Sequence, residues 1–314
     1  MIGTKEVFLQ IMIPFHRVGL GDKADYESIL HTAPERGCEY SFANKYLWGR
    51  QEIAFLHGCA ALFSHFYGKS VYSYPIGNGD KKAVIGEIIA DSKERGLPLR
   101  ITGITPADRE ELETLFPGRF TFRISRDEWD YVYHIDALAD LRGKKMQKKR
   151  NHFNRFQSAH PHYRVLPLDC KTQGLALHMV NDWYRNRMKN DPEGDYLLEN
   201  LALAKAFRDF NAIGMEGIVL MEDDRVLAVT MGSRLNSNTF DIHFEKAREN
   251  VDGAYNAVNA EFARYLRLKY PDVIYLNRED DVGLEGLRKA KLSYHPDHMV
   301  EKHWAYLTEE IYED

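Results

Sequence analysis

The 314-residue chain has only three cysteines, Cys38, Cys59 and Cys170, odd in number and widely separated. That excludes the disulfide framework of a small secreted domain and fits reduced thiols. No cysteine pair has zinc-ligand spacing, and the close histidine pairs, His160/His162 and His295/His298, lack a carboxylate or Cys set to complete a metal site, so no metal is expected. No run approaches the roughly 20 apolar residues that span a bilayer. The opening stretch MIGTKEVFLQIMIPFHR has one basic residue, Lys5, ahead of its apolar run, is interrupted by Pro14 and His16, and lacks a small-residue cleavage site. We therefore expect no leader, no transmembrane segment and a cytoplasmic protein. Gly-x-Ser-x-Gly elbows and Cys-His pairings for covalent catalysis are missing too. The formal charge of −5 argues against a general nucleic-acid coat protein, though it leaves local basic patches open.

What is present is hydrophobic side chain for two cores, 44% of the residues, and one concentrated charge run. Between Arg142 and Arg155 stand seven Lys or Arg (Arg142, Lys144, Lys145, Lys148, Lys149, Arg150 and Arg155) and no acid. Met146, Phe153 and Phe156 fit a helix stripe there, which predicts a basic helix at 136–158 joining domains at 1–135 and 159–314. Each side of it follows one plan. The first half reads as strands at YSFANKYLWG, IAFLH, AALFSHFY and SVYSYPI, then helix KKAVIGEIIADSKERG, strand LRITGI and helix ADREELETLF. The second half reads as two helices, LALHMVNDWYRNRMKN and YLLENLALAKAFRDFN, separated by a turn at Asp191 to Gly194. An antiparallel meander from Glu216 to Ala247 follows, with turns at 222–224 and 236–238, then helix AYNAVNAEFARYLRLKY, strand DVIYLN and helix GLEGLRKAKL. The expected fold class is α/β (α+β), each domain a mixed, mostly antiparallel sheet flanked by helices.

In the meander's last strand, period-two alternation sets Phe240, Ile242 and Phe244 on one face and Asp241, His243 and Glu245 on the other. Three ionisable groups on one surface suit proton transfer, and a solvated strand face is the competing reading. The run Asn277-Arg278-Glu279-Asp280-Asp281 follows a strand at its C-terminal end, where open α/β sheets bind ligands, or caps the next helix. Gly77-Asn78-Gly79-Asp80 reads as a tight turn with Asp80 as N-cap rather than a phosphate nest. Trp48, Trp183 and Trp304 read as core.

The segments YSFANKYLW (Tyr40 to Trp48), GKKMQKKRNHFNRF (Gly143 to Phe156) and NREDDVGLEGLRKAKLSYHP (Asn277 to Pro296) resemble the family named for the C-terminal domain of phosphatidylglycerol lysyltransferase, a relative of the Fem aminoacyltransferases. The resemblance implies two GNAT-like (acyl-CoA N-acyltransferase) domains in tandem and transfer of an acyl or aminoacyl group to an amine or hydroxyl. No tightly bound cofactor is implied; the donor is a co-substrate, aminoacyl-tRNA or acyl-CoA, and the partners are tRNA and a small-molecule, peptide or lipid acceptor. Where lipid-modifying members carry Asp-Leu-Met-Arg this chain has Asp241-Ile242-His243-Phe244, which counts against a phospholipid acceptor. Candidate catalytic residues are Asp241, His243 and Glu245, with Lys289 and Lys291 at positions resembling the family's spaced lysines. In such folds a CoA diphosphate sits on a Gly-rich loop at a helix N-terminus. The corresponding run here is Arg248-Glu249-Asn250-Val251-Asp252-Gly253, in which Arg248 and Gly253 fit while Val251, Glu249 and Asp252 do not. Lys144, Lys145, Lys148, Lys149 and Arg150 are candidate phosphate contacts, and Asn277, Glu279 and Asp280 candidate substrate contacts. Aminoacyl transfer from aminoacyl-tRNA is the reading favoured, ahead of an acyl-CoA-dependent N-acyltransferase and a non-catalytic tRNA- or nucleotide-binding module.

Overall fold

The computed structural model describes residues 12–48, 50–66, 68–192 and 196–309. Residues 1–11 of the stretch considered as a leader lie outside them, as does half of the Asp191 to Gly194 turn. No helix among the described residues is long and apolar enough to cross a membrane.

The chain forms two compact units, and each has a seven-stranded mixed sheet. In the first, the strands β1 (His16–Arg17), β2 (Gln51–Leu56), β3 (Cys59–Phe66) and β4 (Lys69–Gly77) make an antiparallel meander. Helix α3 (Lys81–Glu94) then leads to β5 (Arg100–Ile104), which lies parallel to β4, and α4 (Pro106–Leu115) leads to β6 (Phe120–Ile124). Asp80 caps α3 by accepting from the Ala83 N–H at 2.9 Å, and the helix buries Val84, Ile85, Ile88 and Ile89, a stripe at helical spacing, against the sheet. Gly79 is pressed so close to the β2–β3 turn that an added Cβ would lie 1.8 Å from the His57 carbonyl oxygen. The glycine pair therefore makes the tight turn that was expected.

The second unit repeats this order. Strands β8 (Arg164–Pro167), β9 (Met215–Glu222), β10 (Arg225–Arg234) and β11 (Thr239–Ala247) form the meander. Helix α9 (Ala254–Lys269) carries the chain to β12 (Tyr275–Asn277), parallel to β11, and α10 (Glu285–Leu292) leads to β13 (His298–Val300). The remaining strands depart from a division into two contiguous halves. Strand β7 (Asp130–His134), which follows β6 in sequence, pairs between β12 and β13 in the second sheet. Strand β14 (His303–Leu307), which follows β13, pairs between β5 and β6 in the first. The second unit therefore comprises Gly19–Gly49 and Ser125–Glu301, and the first takes the rest. The contiguous boundaries expected at 135 and 158 do not survive this exchange, because a strand is assigned by its pairing and not by its place in the chain.

Helices α1 (Lys23–Leu30) and α2 (Phe42–Leu47) belong to the second unit, with α5 (Ile135–Asp140), α6 (Gln147–Ala159), α7 (Gln173–Asn190) and α8 (Leu197–Arg208). The segment read as strand YSFANKYLWG is thus mostly helix. Ser41 accepts from the Asn44 N–H at 3.2 Å as an N-cap, and Phe42 and Tyr46 stack at i, i+4. Only 147–159 of the basic segment is continuous helix. Residues 143–146 are turn, and Asp136 and Asp140 belong to the separate helix α5. Phe153 and Phe156 of α6 join Ala257, Val258, Phe262, Ala263 and Leu266 of α9 in the core.

Candidate active site

The parallel pairing of β11 and β12 aligns Asp241 with Asn277, and the antiparallel pairing of β10 and β11 aligns Asp241 with Ser233. A register shift between Met231 and Gly232 leaves His243 as an extra residue in β11. This bulge keeps His243 with Asp241 but turns Glu245 to the α9 side, where it pairs with Arg278 at 3.0 Å and accepts from Asn259 at 3.3 Å. The expected set of Asp241, His243 and Glu245 on one surface is corrected accordingly, since strict alternation holds only in an unbulged strand. Gly232 opposite the bulge has no room for a side chain: a Cβ would lie 2.1 Å from the Asp241 carbonyl oxygen.

Glu279 takes the vacant place. Its Oε1 lies 3.3 Å from His243 Nδ1 and receives the Asn44 amide at 3.1 Å. Asp241 Oδ2 lies 3.5 Å from both the same imidazole nitrogen and the same amide. Carboxylates only accept, so Nδ1 carries the proton and, in the neutral ring, Nε2 accepts from the Ser233 hydroxyl at 2.8 Å. Asp241 and His243 have 0% and 1% of their side chains exposed and Glu279 has 26%. Glu279 is the member of the cluster that reaches solvent.

The Glu279 loop is clamped on every side. Glu279 sits in the left-handed region at φ 58, with its N–H on Asn277 Oδ1 at 2.7 Å. Its carbonyl accepts from Tyr131, and Arg278 donates back to the Tyr131 carbonyl at 3.0 Å. Asn277 is fully buried and donates to Asp130 Oδ2 at 2.8 Å; that carboxylate also receives the Cys38 N–H at 2.6 Å, and the Cys38 carbonyl accepts from Asn44. The network returns to Asn44. Lys291, one of the catalytic candidates, is buried and donates from Nζ to the Arg278 and Asp280 carbonyls, so it staples the loop. Burial pushes its ammonium below the ordinary lysine range. Asp280 caps Val282 N at 3.2 Å, and the neighbouring Asp281 is held well below the usual carboxylate range by its hydrogen bond to Arg288.

The remaining candidates lie elsewhere. Lys289 is exposed and pairs with Glu285 one turn away. Arg248 donates Nε to the Val226 carbonyl. Gly253 caps α9 at φ 77 with its missing side chain facing α6, where a Cβ would lie 2.5 Å from the His152 carbonyl oxygen. Asp252 pairs with Arg155 at 3.4 Å. On the basic segment Lys144, Lys145 and Lys148 are exposed, but Arg150 donates to the Leu141 and Gly143 carbonyls as a structural brace. Lys149 lies 3.9 Å above the Tyr294 ring, its amine pushed down to about 8 by burial and then by Arg278.

Sequence reading missed Asn44, Ser233 and Asp130. Ser233 was within reach, because a turn at 236–238 sets it opposite Asp241 in the hairpin. Asn44 was hidden by the strand assignment of its segment. Among the described residues, two groups bring three potential metal ligands within 4.8 Å of one another, Asp241/His243/Glu279 and Cys38/Glu39/Asp130.

With this geometry in view, the known proteins similar to the chain fall into place. A crystal structure of a conserved protein of unknown function from Bacteroides thetaiotaomicron VPI-5482 is 35% identical with a TM-score of 0.90, covering 95% of this chain and all of that one. L-PGS from Bacillus licheniformis (15% identical, TM-score 0.66, 92% and 93% covered) and FemX (11%, 0.59, 93% and 97%) share this fold. An uncharacterized protein of Mycoplasmoides gallisepticum is 23% identical over 181 residues, which span 57% of this chain and only 56% of that relative's length. The family described as phosphatidylglycerol lysyltransferase, C-terminal, matches residues 31–306. The chain therefore belongs to the phosphatidylglycerol lysyltransferase C-terminal family of acyltransferases.

Proposed function

We propose that the protein transfers an aminoacyl group from aminoacyl-tRNA to an amine or hydroxyl acceptor in the cytoplasm, with Glu279 taking the proton that the acceptor loses. The observation carrying this reading is the convergence of Asn44 and His243 on one oxygen of Glu279, the member of the cluster that reaches solvent. Both N–H groups hold Oε1 and leave Oε2 for the acceptor. The acceptor nitrogen or oxygen attacks the donor's ester carbonyl, the carbonyl–ribose C–O bond breaks, and the departing ribose oxygen leaves as a hydroxyl with the proton that Glu279 took from the acceptor. His243, buried behind Glu279, is a positioning residue, and Ser233 and Asp241 fix its ring.

The loop after β11 supports tRNA over acyl-CoA as donor. Its glycine faces α6, and Glu249 and Asp252 put carboxylates where a diphosphate would lie. The exposed Lys144, Lys145 and Lys148 suit RNA phosphates. Phe244 in place of the arginine of lipid-modifying members favours a small-molecule or peptide acceptor over a phospholipid.

A salt-series titration of labelled tRNA, repeated with excess CoA, tests the donor. Saturable binding that weakens with salt and ignores CoA is expected. No binding, or displacement by CoA, would overturn the tRNA reading.

A further inference from the structure

Trp48 is not the core residue that its residue type suggests. It closes helix α2, in the same unit as the Glu279 cluster, and 37% of it is exposed. Its indole Nε1–H donates to the side-chain oxygen of Asn44, one turn back, at 3.2 Å. The nitrogen of that same amide donates to the Cys38 carbonyl at 2.8 Å and to Glu279 Oε1 at 3.1 Å, with Asp241 Oδ2 at 3.5 Å. One carboxamide thus joins a ring at the surface to the carboxylate assigned the acceptor's proton.

The chemistry of the partners fixes which way this amide lies. An indole N–H only donates, so it takes the amide oxygen; carbonyl and carboxylate oxygens only accept, so they take the nitrogen. Rotation about the last side-chain bond of an asparagine is broad, with no staggered well to hold the amide plane. Hydrogen bonds hold it instead, with Trp48 at one end and Cys38, Asp241 and Glu279 at the other. Asn44 is only 7% exposed, so without the indole its oxygen has little access to water. An amide that turns to satisfy that oxygen carries its nitrogen away from Glu279 Oε1. A bonded oxygen also strengthens the N–H groups of the same amide as donors.

We propose that Trp48 is a positioning residue for the Glu279 carboxylate and acts through Asn44. The assignment deepens the reading of Glu279 as the base and rests on it. His243 holds the same oxygen from β11 at 3.3 Å, so loss of the indole N–H slows transfer without abolishing it.

Single-turnover transfer from total charged tRNA to glycinamide by the parent protein, Trp48→Phe, Asn44→Ala and the double variant tests it. Phenylalanine keeps an aromatic ring and removes the N–H. Trp48→Phe should slow the step roughly 3- to 10-fold, the worth of one hydrogen bond, with tRNA affinity unchanged. In the Asn44→Ala background the same change should cost nothing more, because no amide remains for Trp48 to hold. An equal loss in both backgrounds would give the ring a packing role and overturn the proposal, as would a Trp48→Phe protein that transfers at the parent's rate while Glu279→Gln is slow. A Glu279→Gln protein as fast as the parent would remove the base instead. Proton–nitrogen correlation spectra then judge Trp48 without turnover, as they do if glycinamide accepts nothing. Trp48→Phe should shift the Asn44 side-chain amide resonances, and Asn44→Ala the Trp48 indole N–H; resonances unmoved by either change would overturn the contact.

Discussion

Replacing Gly253 by Ala separates two roles for the loop after β11, a seat for a ligand phosphate and a packing contact between helices. In this structure the glycine is at φ 77, and a Cβ would come within 2.5 Å of the His152 carbonyl oxygen and 3.1 Å of Phe156 Cβ. The left-handed conformation costs a non-glycine residue about 1 kcal/mol, and forcing a methyl group into a filled contact adds about 1–3 kcal/mol. Alanine's lower unfolded-state entropy offsets roughly 0.5–1 kcal/mol. The net loss is about 1–4 kcal/mol, and at roughly 2–4 °C per kcal/mol for a unit of this size the melting temperature should fall by several degrees or more. Differential scanning calorimetry reads it. Gly286→Ala in α10 is the control, because nothing lies within 4 Å of the added Cβ and alanine is the better helix former by about 1 kcal/mol. If Gly253→Ala melts with the parent protein and loses tRNA affinity instead, the packing argument is wrong and the loop seats a ligand.

Asn277→Leu should be worse for both stability and turnover than its size suggests. It removes the amide that bonds buried Asp130 and the carbonyl that holds the Glu279 N–H, a loss of about 3–4 kcal/mol when a charged and a neutral hydrogen bond go together. Urea titration beside a transfer assay would show it, and a variant as stable and active as the parent would refute the clamp. Lys149 makes a pH-dependent prediction. Its folded value of about 8 lies below the ordinary 10.5, so between those limits the unfolded chain holds the extra proton and this group's contribution to stability rises with pH. Against Lys149→Met, the parent should gain stability on going from pH 8 to 10; parallel stability profiles would contradict the burial of that amine.

The sequence showed the meanders, the crossover helices and the strand-to-loop position of Asn277 and Glu279 because each rests on local periodicity and turn chemistry. The exchange of β7 and β14 left no such mark. Five apolar-rich residues pair as well with one sheet as with another, and only three-dimensional pairing assigns them. The bulge at His243 was hidden for a related reason: alternation along β11 looks regular until the register against β10 is known, and then Glu245 changes face. Asn44 belongs to a segment whose aromatic residues read as strand, although Ser41 ahead of it was a legible N-cap. Basic residues looked alike in sequence. Burial sorts them into a brace (Arg150), a staple (Lys291), a desolvated amine (Lys149) and free surface charge (Lys144, Lys145 and Lys148).

Single-turnover transfer from charged tRNA by the Glu279→Gln variant tests the central claim most directly. The amide keeps the shape of the carboxylate but takes up no proton. The account predicts a rate reduced roughly 10²- to 10⁴-fold, the usual contribution of a positioned base, with tRNA affinity unchanged. A variant that transfers at the parent's rate would remove Glu279 from the chemistry, and with it the proposed site.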